Sequence, residues 1–405
     1  MQPIKLTIEG SYCDCQIYRG WLYLWTFDAR LIVVEWNKLI DSLWEDEIDK
    51  FAFNVCFQDG SYLYKDILEQ LLTDSEVKNL VIRKIVKLHD FNLIISKELL
   101  DRYTRSVQDA PSHTLPIDTE IYDSKLYYCT DDGFYETNAH NTRNNPVSSR
   151  PIKLWDERLL SLKANRSYQV ALSAGDDGLF ELNRTRSLSS LLKRVEHDIV
   201  QISDRHSSVA NYTYLSLYST SYTGESFMSY FSWIRDERNL DFVRARGEDF
   251  ESDAIFGSSN SVDDLSWGMH DKLYRVSKNK IEMVRFHNGS ADRAPQEKFS
   301  KPAQYNLPDG LSRPISASSS VFGSIIEYDD RLVVLQSDRD VFCLNTPVTR
   351  WRIYPRSINY QNHLHVLLDD CMHVYSFNHD WLQNQWEKLM GSEYVDLVFR
   401  GRQYK

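Results

Sequence analysis

The chain has 405 residues and a formal net charge of −11. That balance excludes broad, charge-driven binding to nucleic acid or anionic lipid, which needs a basic surface. Hydrophobic residues at 42% are enough to build a core, and 24 Tyr, 18 Phe and 10 Trp favour strands that pack aromatic faces against one another.

No run approaches the ~18 consecutive apolar residues of a membrane span, and MQPIKLTIEG lacks the apolar centre of a secretory signal. The expectation is a soluble, cytoplasmic protein without membrane insertion. Cys13, Cys15, Cys56, Cys129, Cys343 and Cys371 form no CxxC pair, and so low a density suits reduced thiols. Asn165, Asn183, Asn211 and Asn288 open N-x-S/T sequons, which without a signal read as chance matches. Arg400, Arg402 and Lys405 read as a solvated tail.

In chain order, Lys5–Glu9, Cys13–Tyr18, Trp21–Thr26 and Leu31–Glu35 predict four short strands on tight connections, so residues 1–35 are expected to form a first blade. Cys13 and Cys15 share a strand face and read as packing. From 36 to 112 the period becomes helical: Leu39, Leu43 and Trp44 begin an apolar face, and Asp66–Leu72, Ser75–Leu88 and Ser96–Ser106 read as helices, with Phe51–Phe57 a stretch of possible alternation. This helical insertion is either a cap packed on the blades or a docking surface for another subunit.

Residues 113–405 return to strands. Ile121–Asn141 is a hairpin turning at Asp131-Asp132-Gly133, where glycine accepts the positive φ of a tight turn. After a polar loop at Asn141–Arg150 come strands at Leu159–Ala164, Tyr168–Ala174 and Gly178–Asn183, and GDDGLFELN there repeats the first copy. Gly178 follows Gly133 at the spacing of a four-stranded blade. Arg184–Glu196 permits a short helix. Asp198–Ile202, Asn211–Ser219 and Ser226–Trp233 predict the next blade, followed by a charged loop at Arg235–Asp253. Lys272–Ser277 and Ile281–Arg285 form another hairpin, and Pro-rich His287–Ser316 reads as an irregular strap. The theme returns around Asp329-Asp330 and Asp369-Asp370, giving seven candidate blades. Closure by Lys5–Glu9, Tyr394–Phe399 or both would protect otherwise open edges.

This recurrence resembles the β-propeller superfamily of WD40-like and quinoprotein-like repeats over about four-fifths of the chain. The Trp-Asp dipeptide of true WD40 repeats occurs once, at Trp155-Asp156, and not as a series. The expected fold is mainly β, a seven-bladed β-propeller with an inserted helical segment.

Contiguous catalytic motifs are absent: there is no phosphate loop, dinucleotide turn or HExxH helix, and Gly224–Met228 and Gly310–Pro314 lack the second glycine of a nucleophile elbow. Gly175-Asp176-Asp177 is similar to the metal-holding carboxylate pair of polymerase palms, but the recurrence of such acids at Asp131-Asp132, Asp329-Asp330 and Asp369-Asp370, at turns, points to turn chemistry. His363, His365, Cys371 and His373 pose a metal-site question that depends on which faces they occupy. Neither a metal nor another cofactor is expected. The reading is therefore a non-enzymatic scaffold or recognition subunit in a protein complex. Tyr212, Tyr214, Tyr218, Tyr222, Phe227, Tyr230 and Trp233 are the candidate partner-binding residues. The alternative is a propeller hydrolase or lyase with a central-channel site; ligand sensing within a larger assembly is a third reading. Function is to be sought where the repeats differ, at 36–112, 212–233 and 287–316.

Overall fold

A computed structural model describes residues 2–58, 74–111, 113–139, 147–148, 150–165, 169–185, 196–235, 242–277, 280–287, 298–308, 310–336, 340–357 and 359–377. Asp66–Leu72, most of Asn141–Arg150, residues 186–195, Tyr394–Phe399 and the basic tail lie outside them. Two compact units are present, one of Met1–Asp109, Ser319–Ser324 and Val334–Lys405, the other of Ala110–Ser318 and Ile325–Val333. No described helix is long and apolar enough to cross a membrane.

β1 (Ile4–Glu9) precedes the first sheet, which takes β2 (Asp14–Tyr18), β3 (Trp21–Trp25), β4 (Arg30–Val34) and, beyond β5 (Leu93–Ile95), β6 (Thr104–Asp109). The second sheet is β7 (Asp118–Tyr122), β8 (Lys125–Thr130), β9 (Gly133–Asn138) and β10 (Ile152–Trp155). The third is β11 (Ser161–Ala164), β12 (Gln169–Ser173), β13 (Leu179–Thr185) and β14 (Glu196–Ser203). The fourth is β15 (Val209–Thr213), β16 (Ser216–Thr220), β17 (Ser226–Arg235) and β18 (Phe242–Glu251). β19 (Leu265–Met269), β20 (Lys272–Ser277), β21 (Lys280–Arg285) and β22 (Ala303–Asn306) form the fifth. β23 (Ser316–Ser320), β24 (Gly323–Tyr328), β25 (Arg331–Gln336) and β26 (Val341–Leu344) form the sixth. The seventh runs β27 (Arg350–Ile353), β28 (His363–Leu367), β29 (Cys371–Ser376), β1, β5. These seven sheets make the protein a mainly β, seven-bladed β-propeller.

Lys5–Glu9 thus closes the last blade rather than opening the first. β1 pairs antiparallel with β29 from Ile4↔Ser376 to Glu9↔Cys371, and β5 adds in parallel on its other side. The fourth strand of the first blade is β6, pairing antiparallel with β4. The expected helix at Ser96–Ser106 therefore stops at Tyr103: Thr104 and the alternating TRSVQD find a ladder on β4 worth more than another helical turn.

The inserted helices are α1 (Trp36–Asp41), α2 (Glu47–Phe57), α3 (Ser75–Lys87) and α4 (Lys97–Tyr103). Asp46 caps α2 by accepting the Ile48 and Asp49 amides at 3.1 and 3.0 Å, and Asp74 caps α3 in the same way. Phe51–Phe57 is helical, not alternating. Its Phe53, Cys56 and Phe57 fall at i, i+3 and i+4 and enter a core with Ile4, Leu6, Ile8, Trp36 and Met372. The Trp36 indole donates to Phe57 O at 2.7 Å. The insertion is packed against strands of its own unit.

Other expectations shift by one strand. Asp198–Ile202 belongs to β14, the last strand of the third blade, and Arg184–Thr185 continue β13. The charged loop at Arg235–Asp253 contains β18, a ten-residue strand paired along β17, then α5 (Ser252–Phe256). Its charges sit on an outer edge strand, where they blunt edge-to-edge association and weaken the apolar signal by which strands are read. Within the Pro-rich strap, Ala303–Asn306 is likewise a strand.

Inner strands lose their two-residue period because both of their faces are covered: every residue of β3, β12, β16 and β28 is buried. In the second unit Tyr127, Cys129 and Phe134 pack with Leu162, Val170, Leu172 and Leu182 of the next blade.

The repeated glycine has a use beyond the turn. A Cβ on Gly178 (φ +106°) would overlap Ser203 O, and one on Gly133 (φ +138°) would overlap Trp155 O. Both oxygens lie on the neighbouring outer strand, where the register shifts. Gly178→Ala is expected to cost about 2–4 kcal/mol, against about 1 kcal/mol for Gly310→Ala, which has positive φ but open space. Denaturant melts of the two variants check the difference.

Candidate functional site

Of the seven aromatic candidates, burial withdraws four from any partner. Tyr212, Tyr218, Phe227 and Tyr230 lie in the core. The Tyr212 hydroxyl donates to Glu181 Oε1 at 2.8 Å, and that carboxylate also holds Arg244 Nη1 at 2.5 Å. Tyr218 donates to Ser226 Oγ at 2.8 Å. Tyr230 stands edge-on to Phe250 and Phe286, under the Lys298 ammonium. Tyr214 is half-buried in the turn between β15 and β16. The physical reason is that strands with both faces covered turn every aromatic inward, so a Tyr-rich segment is mostly core.

Tyr222 and Trp233 remain, 64% and 51% exposed. They do not share a surface. Tyr222 lies in the turn before β17, while Trp233 lies seven residues into that strand, roughly 23 Å on. Trp233 pairs with Arg244, past the last β16 pairing at Ser229.

Tyr222 is held on three sides. Its amide donates to Ser208 Oγ at 3.0 Å, its carbonyl accepts Arg313 Nη2 at 3.1 Å, and its ring meets His206 edge-on at 6.4 Å. Gly224 (φ +84°) allows the turn to press against Ser261 and Val262, and Asn260 Nδ2 donates to Gly224 O at 2.8 Å. Val262 is 63% exposed beside it. Arg313 also faces Asp263 at 3.9 Å. The surface therefore joins two of the non-repeating stretches, 212–233 and 287–316. His206, Val262 and Arg313 were not singled out from sequence. One signal existed for His206: Asp131 pairs with Arg158 at 3.1 Å, and Asp176 with His206 at 2.7 Å, so both first aspartates are latched by a basic residue two strands later.

Those latches refine the turn chemistry expected of the Asp pairs. All four pairs occupy turns or bends. Asp131 and Asp176, however, reach across to the next loop rather than to their own turn amides.

The second latch has the outline of a hydrolytic triad. Asp176 Oδ1 lies 2.7 Å from His206 Nδ1, and His206 Nε2 lies 2.9 Å from Ser208 Oγ. A nucleophile must also reach a carbonyl. Ser208 is buried, with its oxygen beneath the Tyr222 amide that it accepts. The chain Asp176–His206–Ser208–Tyr222 ties two turns together.

The histidines of the seventh sheet are divided by register. His365 lies opposite Val374 and His363 opposite Ser376, whereas His373 lies opposite Val366. Cross-strand partners share a face, so His363 and His365 point one way and Cys371 and His373 the other. The four cannot converge on one ion, and no metal-holding group of His, Cys, Asp or Glu occurs among the described residues. His363 Nε2 donates to Cys56 O at 2.9 Å, and His365 Nδ1 sits 3.1 Å from the Tyr354 hydroxyl and 3.7 Å from Cys15 Sγ. Burial pushes the Cys15 thiol up, leaving it protonated rather than nucleophilic. Beside it, Asp14 is fully buried and accepts Arg350 at 3.0 Å and Arg352 at 2.8 and 2.7 Å.

No protein-family model matches the sequence, and no curated protein matches it significantly. Among solved structures, the β-propeller domain of Cps50 (Swd1) from Myceliophteria thermophila is similar at 9% identity and TM-score 0.49, over 93% of this chain and 99% of that one. Hsv2 of Kluyveromyces lactis is similar at 13% identity and TM-score 0.39, over 62% of this chain and 70% of that one. Its form with loop 6CD replaced by a Gly-Ser linker follows at 12% and 0.36, over 62% and 73%. Such scores carry no argument about chemistry, so the class of protein, a β-propeller, stands on strand pairing.

The histidines of the seventh sheet set a pH dependence. Burial lowers His363 to about 4 and His365 well below its ordinary value, the latter also through His363; burial and then Lys5 lower His373 to about 4. The unfolded rings take up protons first, near pH 6.5, so this stability is fully present above that value and is lost as pH falls toward 4. Urea midpoints are expected to hold level at neutral pH and drop steadily between about pH 6.5 and 4. His363 alone contributes up to about 3 kcal/mol of that loss, and an otherwise identical His363→Gln series should show a shallower acid limb.

Proposed function

We propose that the chain is a non-enzymatic interaction module, a scaffold or recognition subunit whose docking surface centres on Tyr222. The observation that carries this reading is an exposed tyrosine on a turn fixed by Ser208, Arg313 and His206. Tyrosine and arginine are the residues most often found to dominate protein interfaces, and a turn already held in place loses little entropy when a partner lands on it. The hydrolase or lyase alternative has its nearest approach in Asp176, His206 and Ser208, where the buried hydroxyl argues against it. As part of the proposal the chain works as a cytoplasmic complex subunit, a compartment that suits six cysteines of which none is disulfide-bonded.

Native co-purification with tagged wild-type and variant chains tests the reading. Tyr222→Ala and Arg313→Ala should each reduce a retained partner by about tenfold or more, with melting temperatures shifted by no more than about 2 °C. Trp233→Ala, at the far end of its strand, should leave that partner in place. Equal retention by wild type and Tyr222→Ala overturns the proposal.

A further inference from the structure

We infer that the Tyr222 surface receives a basic, extended peptide segment of a partner protein, an aliphatic residue seating between Tyr222 and Val262 while flanking Lys or Arg side chains meet a rim of carboxylates. The inference rests on the docking reading above and specifies its ligand. Its apolar centre is two exposed side chains on touching loops: Tyr222 and Val262 are 64% and 63% exposed, and their loops meet at Gly224.

Charge decides the occupant. In the turns that carry this centre and its latch, Glu225 is exposed beside Tyr222, Asp177 beside Asp176 and Asp204 two residues before His206; Asp176 is exposed beyond its histidine contact, and Asp263, next to Val262, adds a fifth carboxylate. The nearby guanidiniums are already engaged, Arg205 by Glu251 and Arg313 by Asp263 and the Tyr222 carbonyl. An acidic segment arriving here would meet like charge, and a neutral one would forgo the attraction. A basic segment gains on both counts and is steered toward the surface over a Debye length of about 8–10 Å. The chain's net charge of −11 acts in the same direction from farther away.

The test uses the purified full chain and two labelled peptides of equal length, one of Lys and Arg around a central Leu, the other with Glu in place of every basic residue. The basic peptide should bind, weaken several-fold as salt is raised, and lose about thirtyfold with Tyr222→Ala. A triple variant, Asp177→Asn, Asp204→Asn and Glu225→Gln, spares the Asp176–His206 latch and should lose about tenfold. Removing carboxylates from another turn, with Asp131→Asn and Asp132→Asn, should leave binding unchanged. Melting curves establish that each variant is folded. Binding of the acidic peptide as tightly as the basic one overturns the inference, as does insensitivity to the triple variant or an equal loss with the Asp131-Asp132 variant. If the basic peptide does not bind while Tyr222→Ala still strips the native partner, the docking surface stands and the basic ligand is overturned. If Tyr222→Ala leaves the native partner in place, both readings fail.

Discussion

The first unit depends on one ladder, the antiparallel pairing of Ile4–Glu9 with Cys371–Ser376. It carries the N-terminal strand into the C-terminal blade and gives the helical insertion something to pack on. Ile4, Leu6 and Ile8 turn toward Met372, Val374, Trp36, Phe53 and Phe57 in a single buried cluster. β5 then adds to the open side of β1 in parallel, so that Leu93 and Ile95 reach the same core. Without the ladder, α2 would offer a phenylalanine face to water, and burial of such side chains is worth roughly 1.5–3 kcal/mol each.

Many of the chemically suggestive groups are satisfied rather than poised. Asp14 answers two arginines, Glu181 answers Arg244 and Tyr212, and Glu282 answers Arg275 at 2.8 Å with Gln304 at 2.7 Å. Buried charges require such partners, because an ion removed from water without one costs several kcal/mol. Arg275 also donates to Ser258 O and Asn260, fixing the loop that leads to Val262. The polar interior therefore orients the surface loops and the few side chains those loops hold out.

Tyr222 shows how this works. Its exposure is not an accident of a floppy loop, since Ser208, Arg313 and the Gly224 contact hold the turn from three separate loops. The Asp176–His206 latch is the same device as Asp131–Arg158, reused where an aromatic follows. A repeat thereby supplies rigidity, and a departure from the repeat supplies the exposed aromatic.

The repeat itself was legible in the chain. The two DDG copies, the alternation of LYYC and FYET and the spacing of the hairpins specify blades, because strand periodicity and positive-φ glycine act over a few residues. The Asp pairs were readable as turns for the same reason. What lay beyond local sequence was every decision made by pairing partners far apart: that Lys5–Glu9 closes the seventh blade, that Thr104–Asp109 is a strand, that charged Phe242–Glu251 is an outer edge. The candidate site divides along the same line. Sequence alone established an aromatic-rich segment but not which rings face water, because Tyr212, Tyr218 and Tyr222 differ only in what covers them. Sequence determined the repeating unit; tertiary structure chose Tyr222, since exposure is a property of neighbours that the local pattern does not contain.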